Sequence, residues 1–197
     1  MAIIVEHDKR KQEILQKSLD VFIEEGYEDA TFQKIADRCA ITRTTLYIYF
    51  KNKHEIFLGS IKELLSELEL SLTKIVNEKN SSEKTLRAIL NSIVDQCEKN
   101  PKLFSVLLNY LMQIKKSGAD TNKKVRSRII RIRHLLSTII ITGIKNKEFK
   151  KVDIKATDEM LYSLLEATIF RIAVLNQTDM KDIRLAIDAA VSSIVEN

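Results

Sequence analysis

The stretch Thr31-Phe32-Gln33-Lys34-Ile35-Ala36-Asp37-Arg38-Cys39-Ala40-Ile41-Thr42-Arg43-Thr44-Thr45-Leu46-Tyr47-Ile48-Tyr49-Phe50-Lys51-Asn52-Lys53 reads as two short helices joined by a tight turn. The Thr31 hydroxyl is placed to accept from the free N–H groups of a first helical turn. Phe32, Ile35, Ala36 and Cys39 then recur at helical spacing and give one apolar stripe. Ala36 is small, which lets a second helix cross closely. Ala40-Ile41 makes the turn, with Ile41 plugging the angle. Thr42 caps the second helix, and Leu46 and Phe50 face back into the core. The outer face keeps Arg43, Thr44, Thr45, Tyr47, Ile48 and Tyr49, followed by Lys51 and Lys53. Hydroxyls, an arginine and aromatics outward, backed by lysines, suit the major groove of DNA. Hydroxyls and lysines hold phosphates, and arginine reads guanine edges. A helical pair with a merely polar outside accounts for the threonines equally well. It accounts badly for Tyr47, Ile48 and Tyr49, because three bulky residues on a short exposed helix need a partner.

Thr45-Leu46-Tyr47-Ile48-Tyr49-Phe50-Lys51-Asn52-Lys53 resembles the TLYxYFxxK signature of the TetR family of transcriptional regulators, and the likeness extends back through Ile35-Ala36 and Gly26-Tyr27. Roughly the first quarter of the chain carries it; the remainder is similar in length and helical character. The resemblance implies an all-α fold of about nine helices. A three-helix DNA-binding head with a helix-turn-helix would span residues 1–52, and a helical body for effector binding and dimerisation residues 53–197. It implies Arg43 as the base reader and Thr44 and Ile48 as further groove contacts. Thr31, Thr42, Thr45, Tyr47, Tyr49 and Lys53 become phosphate anchors. Two positions depart from the family pattern. Ala40 stands where glycine is usual in the turn, and a left-handed residue with a side chain costs on the order of 1 kcal/mol. Thr44 stands where glycine is also frequent, which implies either a looser backbone approach to DNA or a contact made by its own hydroxyl.

Composition fits this reading. A chain of 197 residues with 45% hydrophobic and 30% charged residues can bury a substantial core. One proline and four glycines leave little turn chemistry for an all-β fold. No run of about twenty apolar residues occurs, so no spanning helix or membrane partner is expected. The opening Met1-Ala2-Ile3-Ile4-Val5-Glu6-His7-Asp8 is too soon charged for a signal peptide. Cys39 and Cys97 lie far apart on apolar helical faces without metal spacing, as expected of buried thiols in a reducing cytoplasm. Net charge is +5, of which residues 30–54 carry +4, a modest footprint for DNA. Residues 114–151 carry +10, twelve Lys and Arg against Asp120 and Glu148, which DNA binding by the head does not explain.

In chain order, Asp8 is expected to cap a helix to about Glu25 after a frayed lead over residues 1–7. Lys9, Arg10 and Lys11 would then sit in its first turn, where the helix dipole disfavours cations. They are either a solvated basic turn or tolerated beside DNA phosphates. Gly26 ends the helix, and Tyr27 packs or caps the connection to Thr31. Asn52 caps a long helix from Lys53 to about Lys79. Asn80 and Glu83 have capping-box spacing before a helix to about Lys99, and Pro101 restarts the chain at a first helical position. Residues 103–114 are apolar nearly all round, so this helix is expected buried, closed by Gly118. A helix from about Thr121 to Lys147 keeps the β-branched run Thr138-Ile139-Ile140-Ile141-Thr142, because the chain offers no partner strand. Asp153 caps the next helix to about Asn176, and Asp179 or a neighbour caps the last, to about Val195. Both are apolar on more than one stripe. A symmetric partner is a natural cover for the second face, giving a homodimer through the two C-terminal helices; an ordinary monomer core is the alternative.

Enzyme chemistry is not indicated. His7, His54 and His134 are isolated, and no metal spacing, Gly-rich phosphate loop or nucleophile elbow occurs, so no cofactor is expected. The family resemblance implies a small-molecule effector in the body, with Cys97, Phe104, Leu108, Tyr110, Met112, His134, Tyr162 and Phe170 as candidate lining, residues that also suit a simple core. The +10 block suggests an anionic effector met by Arg128, Arg131 or His134 turned inward; a solvated face is the simpler account. The expected function is a repressor released from an inverted-repeat operator by its effector. The alternatives are a DNA-binding protein of the same fold without an effector, and an all-helical carrier of apolar ligands that does not touch DNA.

Overall fold

The computed structural model describes residues 2–116 and 122–196, and its helices over those residues are α1 (Ala2–Asp29), α2 (Phe32–Arg38), α3 (Arg43–Tyr49), α4 (Lys53–Asn77), α5 (Ser82–Lys99), α6 (Pro101–Lys116), α7 (Asn122–Lys145), α8 (Ile154–Ala173) and α9 (Lys181–Ile194). The chain divides into two compact units, Met1–Leu70 and Ser71–Asn197. The expected all-α class holds. The β-branched run of residues 138–142 lies inside α7, since helical burial of Leu136, Ile139 and Ile140 overrides its local strand preference.

The first unit is built by caps and a small aromatic core. Thr31 accepts the Lys34 N–H at 3.2 Å and Thr42 the Thr45 N–H at 3.0 Å, so both short helices start as their sequence dictates. Between them Ala40 takes φ 53°, the left-handed turn conformation, and Ile41 donates its N–H to the Ala36 carbonyl at 3.0 Å. Asn52 caps α4 by accepting the Glu55 N–H at 2.8 Å, while the Glu55 carboxylate reaches back to the Lys51 N–H at 2.8 Å. Ile35, Ala36, Leu46 and Phe50 are buried, and Phe57 of α4 meets Phe22 and Tyr27 edge-on at 4.9 and 5.0 Å.

The first helix corrects the sequence reading. It begins by Ala2, so Asp8 is no cap and the lead is helical. Lys9, Arg10 and Lys11 therefore sit two turns inside α1, clear of the dipole cost assigned to them. Gly26 at φ 81° breaks the helical path as expected of its position, and a further turn through Asp29 follows it.

In the second unit α5 packs against α7, α8 and α9, and α6 packs against α8. Leu86, Ile89, Leu90, Ile93, Val94 and Cys97 give α5 its buried stripe. Arginines fasten α9 to it. Arg87 bridges Glu83, the Asp188 carboxylate and the Ser192 hydroxyl, while Arg184 reaches Asn91, Asp95 and Glu98. The cap of α5 is Ser81, which accepts the Lys84 N–H at 3.3 Å, and not Asn80. The Glu83 carboxylate turns instead to Arg87, and the adjoining Ser82 N–H donates to Glu148, distant in sequence. Pro101 opens α6 and Asp153 caps α8 through the Ala156 N–H at 2.8 Å, as expected. Before α9, Asp179 accepts the Lys181 N–H at 3.0 Å, and Met180 occupies the cap position without a side-chain bond.

Helix α6 is not buried all round: Leu103, Val106 and Tyr110 are covered, while Met112 is 51% exposed. Gly118 and Thr121 lie outside the described residues. After α7, Phe149 lies against Gly143 so closely that a Cβ there would fall 2.1 Å from the ring, and an isolated antiparallel bridge joins Phe149 to Val195.

Candidate nucleic-acid interface

The outer face of the first unit is presented by α3, seated by Leu46 and Phe50. Arg43 stands at its start, with its guanidinium 5.7 Å over the Tyr47 ring and donating to the Tyr47 hydroxyl at 3.2 Å. This brace keeps a long, flexible side chain extended along the exposed helix face. Thr44 is exposed beside it, and the Thr42 and Thr45 hydroxyls are 2.8 Å apart at the cap. The bulky residues divide. Tyr47 stacks on Phe32 at 4.6 Å and Tyr49 on His7 at 4.7 Å, so both rings have partners within the unit. Ile48 is 70% exposed and projects uncovered, which makes it the apolar point of this surface. Lys53 lies differently from a free anchor. Its ammonium donates to the Glu28 carbonyl at 2.8 Å and sits 4.7 Å over the Tyr27 ring, latching the start of α4 to the turn after α1. Thr31 is exposed at the start of α2 with its hydroxyl in the cap.

Charge on this unit is sorted by side. On α2, Lys34 pairs with Glu25 at 2.6 Å and Arg38 with Glu24, whose hydrogen bond holds the guanidinium pKa above its ordinary value. Around α3, the Arg43 guanidinium and Lys51 ammonium pair with no carboxylate among the described residues, although Glu55 accepts the Lys51 N–H, and the Lys9 and Lys11 ammoniums of α1 pair with none either. Sequence counting had credited Lys34 and Arg38 to the DNA footprint; the pair Glu24-Glu25 just before Gly26 was the sign that they are answered internally. His7, which faces the end of α3 together with Lys11, is missed by the sequence reading, because the supposed cap at Asp8 puts it outside the helix.

An all-helical unit with a capped two-helix turn and an unneutralised outer face is what a major-groove reader requires. Residues 14–59 match the family model for bacterial regulatory proteins of the tetR family. Over that segment the chain resembles the TetR family. The matched segment includes α2, α3 and the turn between them. The chain is 22% identical over 158 residues, 80% of each protein, to a fatty acid metabolism regulator protein of Bacillus subtilis. It is 24% identical over 157 residues to a nucleoid occlusion factor of Alteromonas mediterranea, covering 80% of this chain and 77% of that one. In fold it matches a TetR transcription regulator of Haloarcula marismortui with TM-score 0.85 at 21% identity, over 96% of this chain and 100% of that one. It also matches the transcriptional regulator FadR of Bacillus subtilis, solved in complex with stearoyl-CoA, with TM-score 0.71 at 20% identity, over 93% and 97% of the two chains.

The candidate effector residues fall on mutually packed helices of the body. Cys97 on α5 is buried, which pushes its thiol up to about 12. Tyr110 on α6 is buried, and Phe104 and Leu108 beside it are half-buried. Tyr162 on α8 is half-buried, its phenol raised by that burial. Met112, His134 and Phe170 lie on the surface of the single chain. Two of the three cations proposed to turn inward do not. Arg131 and His134 are exposed, and the Arg128 side chain is outside the described residues. The residue that α7 directs at α8 is Arg133, 2.7 Å from the buried Asp158 carboxylate, 2.6 Å from Glu159 and 5.4 Å over the Tyr162 ring. The register of α7 decides this: Leu136 and Ile140 face the core, and Arg133 lies one turn before them on that side. No helix among the described residues is long and apolar enough to cross a membrane, and no cluster of potential metal ligands occurs among them.

Proposed function

We propose that the protein is a cytoplasmic repressor that holds an inverted-repeat operator as a homodimer and is released by an amphiphilic, anionic effector of the acyl-CoA class. The single observation that carries the DNA half is α3: an exposed helix with Arg43 braced outward and paired with no carboxylate among the described residues, and Ile48 projecting. Arg43 reads bases with Thr44 and Ile48 beside it, and Thr31, Thr42, Thr45, Tyr47, Tyr49 and Lys53 approach phosphates. The DNA-contacting segment is residues 1–52, and residues 53–197 serve effector and dimer. The dimer reading is supported by apolar residues that a single chain leaves uncovered: Met160, Phe170, Val174 and Leu175 on and after α8, and Leu185 on α9. The effector class is supported by the stearoyl-CoA held by the Bacillus FadR, by half-buried Phe104, Leu108 and Tyr162, and by the +10 block at residues 114–151. Binding of the effector shifts the population towards dimers whose α3 helices no longer match half-sites a helical turn or more apart.

Selection of DNA from a random pool tests the first half. An inverted repeat is expected, with the preference relaxed by Arg43→Ala; recovery of no preferred sequence overturns it. Titration of the protein–duplex complex with long-chain acyl-CoA tests the second. Release is expected, with none from cationic amphiphiles of equal chain length. A complex indifferent to both favours the reading of a DNA-binding protein without an effector, for which the nucleoid occlusion relative is the parallel.

A further inference from the structure

Helix α8 turns one face to the core, and its buried residues Thr157, Asp158, Leu161, Leu165, Thr168 and Ile172 recur at helical spacing along it. Thr157 and Thr168 return their hydroxyls to carbonyls of their own helix, at Asp153 and Leu164. Asp158 has no such recourse, because a carboxylate only accepts. Its Oδ2 takes the Arg133 Nε–H at 2.7 Å, and the same guanidinium spends Nη2 on Glu159 at 2.6 Å. Its Oδ1 is buried and has no hydrogen-bond partner among the described residues. A buried acceptor without a donor is costly, and each one calls for a reason. The Arg133 guanidinium lies 5.4 Å over the half-buried Tyr162 ring, and the arginine side chain is 30% exposed. The carboxylate is therefore one side chain away from solvent.

We propose that Asp158 Oδ1 is the polar receptor of the effector site, accepting a hydrogen bond from a neutral hydroxyl carried on the effector's acyl chain. The inference rests on the acyl-effector reading above and narrows its class to a hydroxylated chain. The charge of Asp158 is already balanced by Arg133, so a cationic donor would meet the repulsion of the guanidinium, whereas a neutral one does not. Oδ1 continues the apolar stripe of Leu161 and Leu165, so the part of an amphiphile that reaches it is the buried chain. The charged headgroup stays in water beside exposed cations such as Arg131. Arg133 holds the sister oxygen, and Glu159 with Tyr162 holds Arg133, so Oδ1 is fixed and dictates where on the chain the hydroxyl must lie.

Calorimetry on the full chain, without DNA, tests this. Hexadecanoyl-CoA is compared with the same chain bearing one hydroxyl near the thioester, in the middle or at the far end, and with the O-methyl ether of each. A hydrogen bond to a charged acceptor is worth about ten- to hundredfold in affinity, so one hydroxylated isomer should bind wild type that much more tightly than the bare chain. Its methyl ether keeps the oxygen but cannot donate, and should lose the whole gain. Asp158→Leu should bind the bare and hydroxylated chains alike. Glu159→Gln, on the exposed side of Arg133, should keep the preference. Equal affinity of wild type for bare, hydroxylated and ether chains overturns the receptor and leaves the acyl effector standing. A preference that survives in Asp158→Leu overturns it too, as does an ether that binds as tightly as its alcohol, a comparison that needs no variant to fold. Wild-type protein that binds no acyl-CoA overturns the effector reading as well.

Discussion

Helices α2 and α3 are built alike: seven residues each, each opened by a threonine whose hydroxyl accepts a backbone N–H three residues on. Each buries one narrow face, Ile35 and Ala36 on the first, Leu46 on the second. Their outer surfaces differ in what is already answered. The cations of α2 are tied to Glu24 and Glu25, while Arg43 on α3 is held by the neutral Tyr47 and meets no carboxylate among the described residues. Exposed ion pairs of the α2 kind contribute about 0–1 kcal/mol each, so they do little to hold the fold. Their larger consequence is to withdraw Lys34 and Arg38 from the competition for phosphates. A charge count treats all five cations of residues 30–54 alike. The distinction that locates the partner is which of them the protein has left unanswered.

Two variants break this comparison most forcefully. Leu46→Ala removes the side chain that seats α3, is 0% exposed, and should destabilise the chain by about 2–5 kcal/mol, read as a fall in the denaturant midpoint at constant m. DNA binding should fail with it, because the reading face has no independent support. Next, Arg43→Ala and Arg38→Ala form a matched pair. Loss of a bidentate base contact costs about 1–3 kcal/mol, so Arg43→Ala should weaken the selected duplex roughly ten- to hundredfold and relax the preference at one base pair per half-site. Arg38→Ala should change affinity by less than about threefold, since its guanidinium is already spent on Glu24. Equal losses from the two arginines would show that the sorting of charge by side has no bearing on DNA.

The sequence disclosed most where the physics is local. A threonine before a helix, a small residue at a crossing, Asn52, Pro101 and Asp153 at helix starts all act within one turn of themselves, and the structure has them acting so. Ala40 in the left-handed region follows from the same short-range logic. What was not legible depends on residues far apart. Asn80 and Glu83 had the right spacing for a capping box, but Arg87 competes for Glu83 and Glu148 reaches in to the Ser82 N–H. The ties of Lys53 to the Glu28 carbonyl and the Tyr27 ring span 25 and 26 positions of chain. Arg133 sat unremarked within a basic run, yet the helix register aims it at the buried Asp158 while Arg131 stays exposed. On the reading face, Arg43, Thr44 and Ile48 could be picked out because their periodicity excludes them from the core. The internal partners of Tyr47 and Tyr49 could not, because Phe32 and His7 come from other helices.

A smaller effect comes from the joint between the two helices. Ala40 holds φ 53°, where a side chain meets the following carbonyl, and removing that conflict is worth roughly 1 kcal/mol. Ala40→Gly should therefore stabilise the chain by up to about 1 kcal/mol, less the greater freedom that glycine returns to the unfolded state. Because the turn geometry is unchanged, the selected sequence should be unchanged too. A variant with altered sequence preference would mean that the alanine methyl sets the angle between α2 and α3, rather than merely tolerating it.

The smallest expected effect is the sharpest for the comparison. Glu24→Gln leaves the shape of the α1–α2 contact almost intact, removes the carboxylate that answers Arg38, and raises the charge of the unit by one. Stability should move by less than about 1 kcal/mol, as for other exposed pairs. If α2 lies off the DNA, the freed guanidinium stays in water. At 0.1 M salt the Debye length is about 10 Å, so a charge held beyond that distance from the phosphates is largely screened. The salt slope of duplex binding should then keep its wild-type value, although the protein is more basic. A slope steeper by about 0.9 would mean that Arg38, once released, finds a phosphate. In that event Glu24 and Glu25 would be restraining a second DNA-facing helix, and the division of the head into an answered and an unanswered side would describe a switch rather than two fixed surfaces.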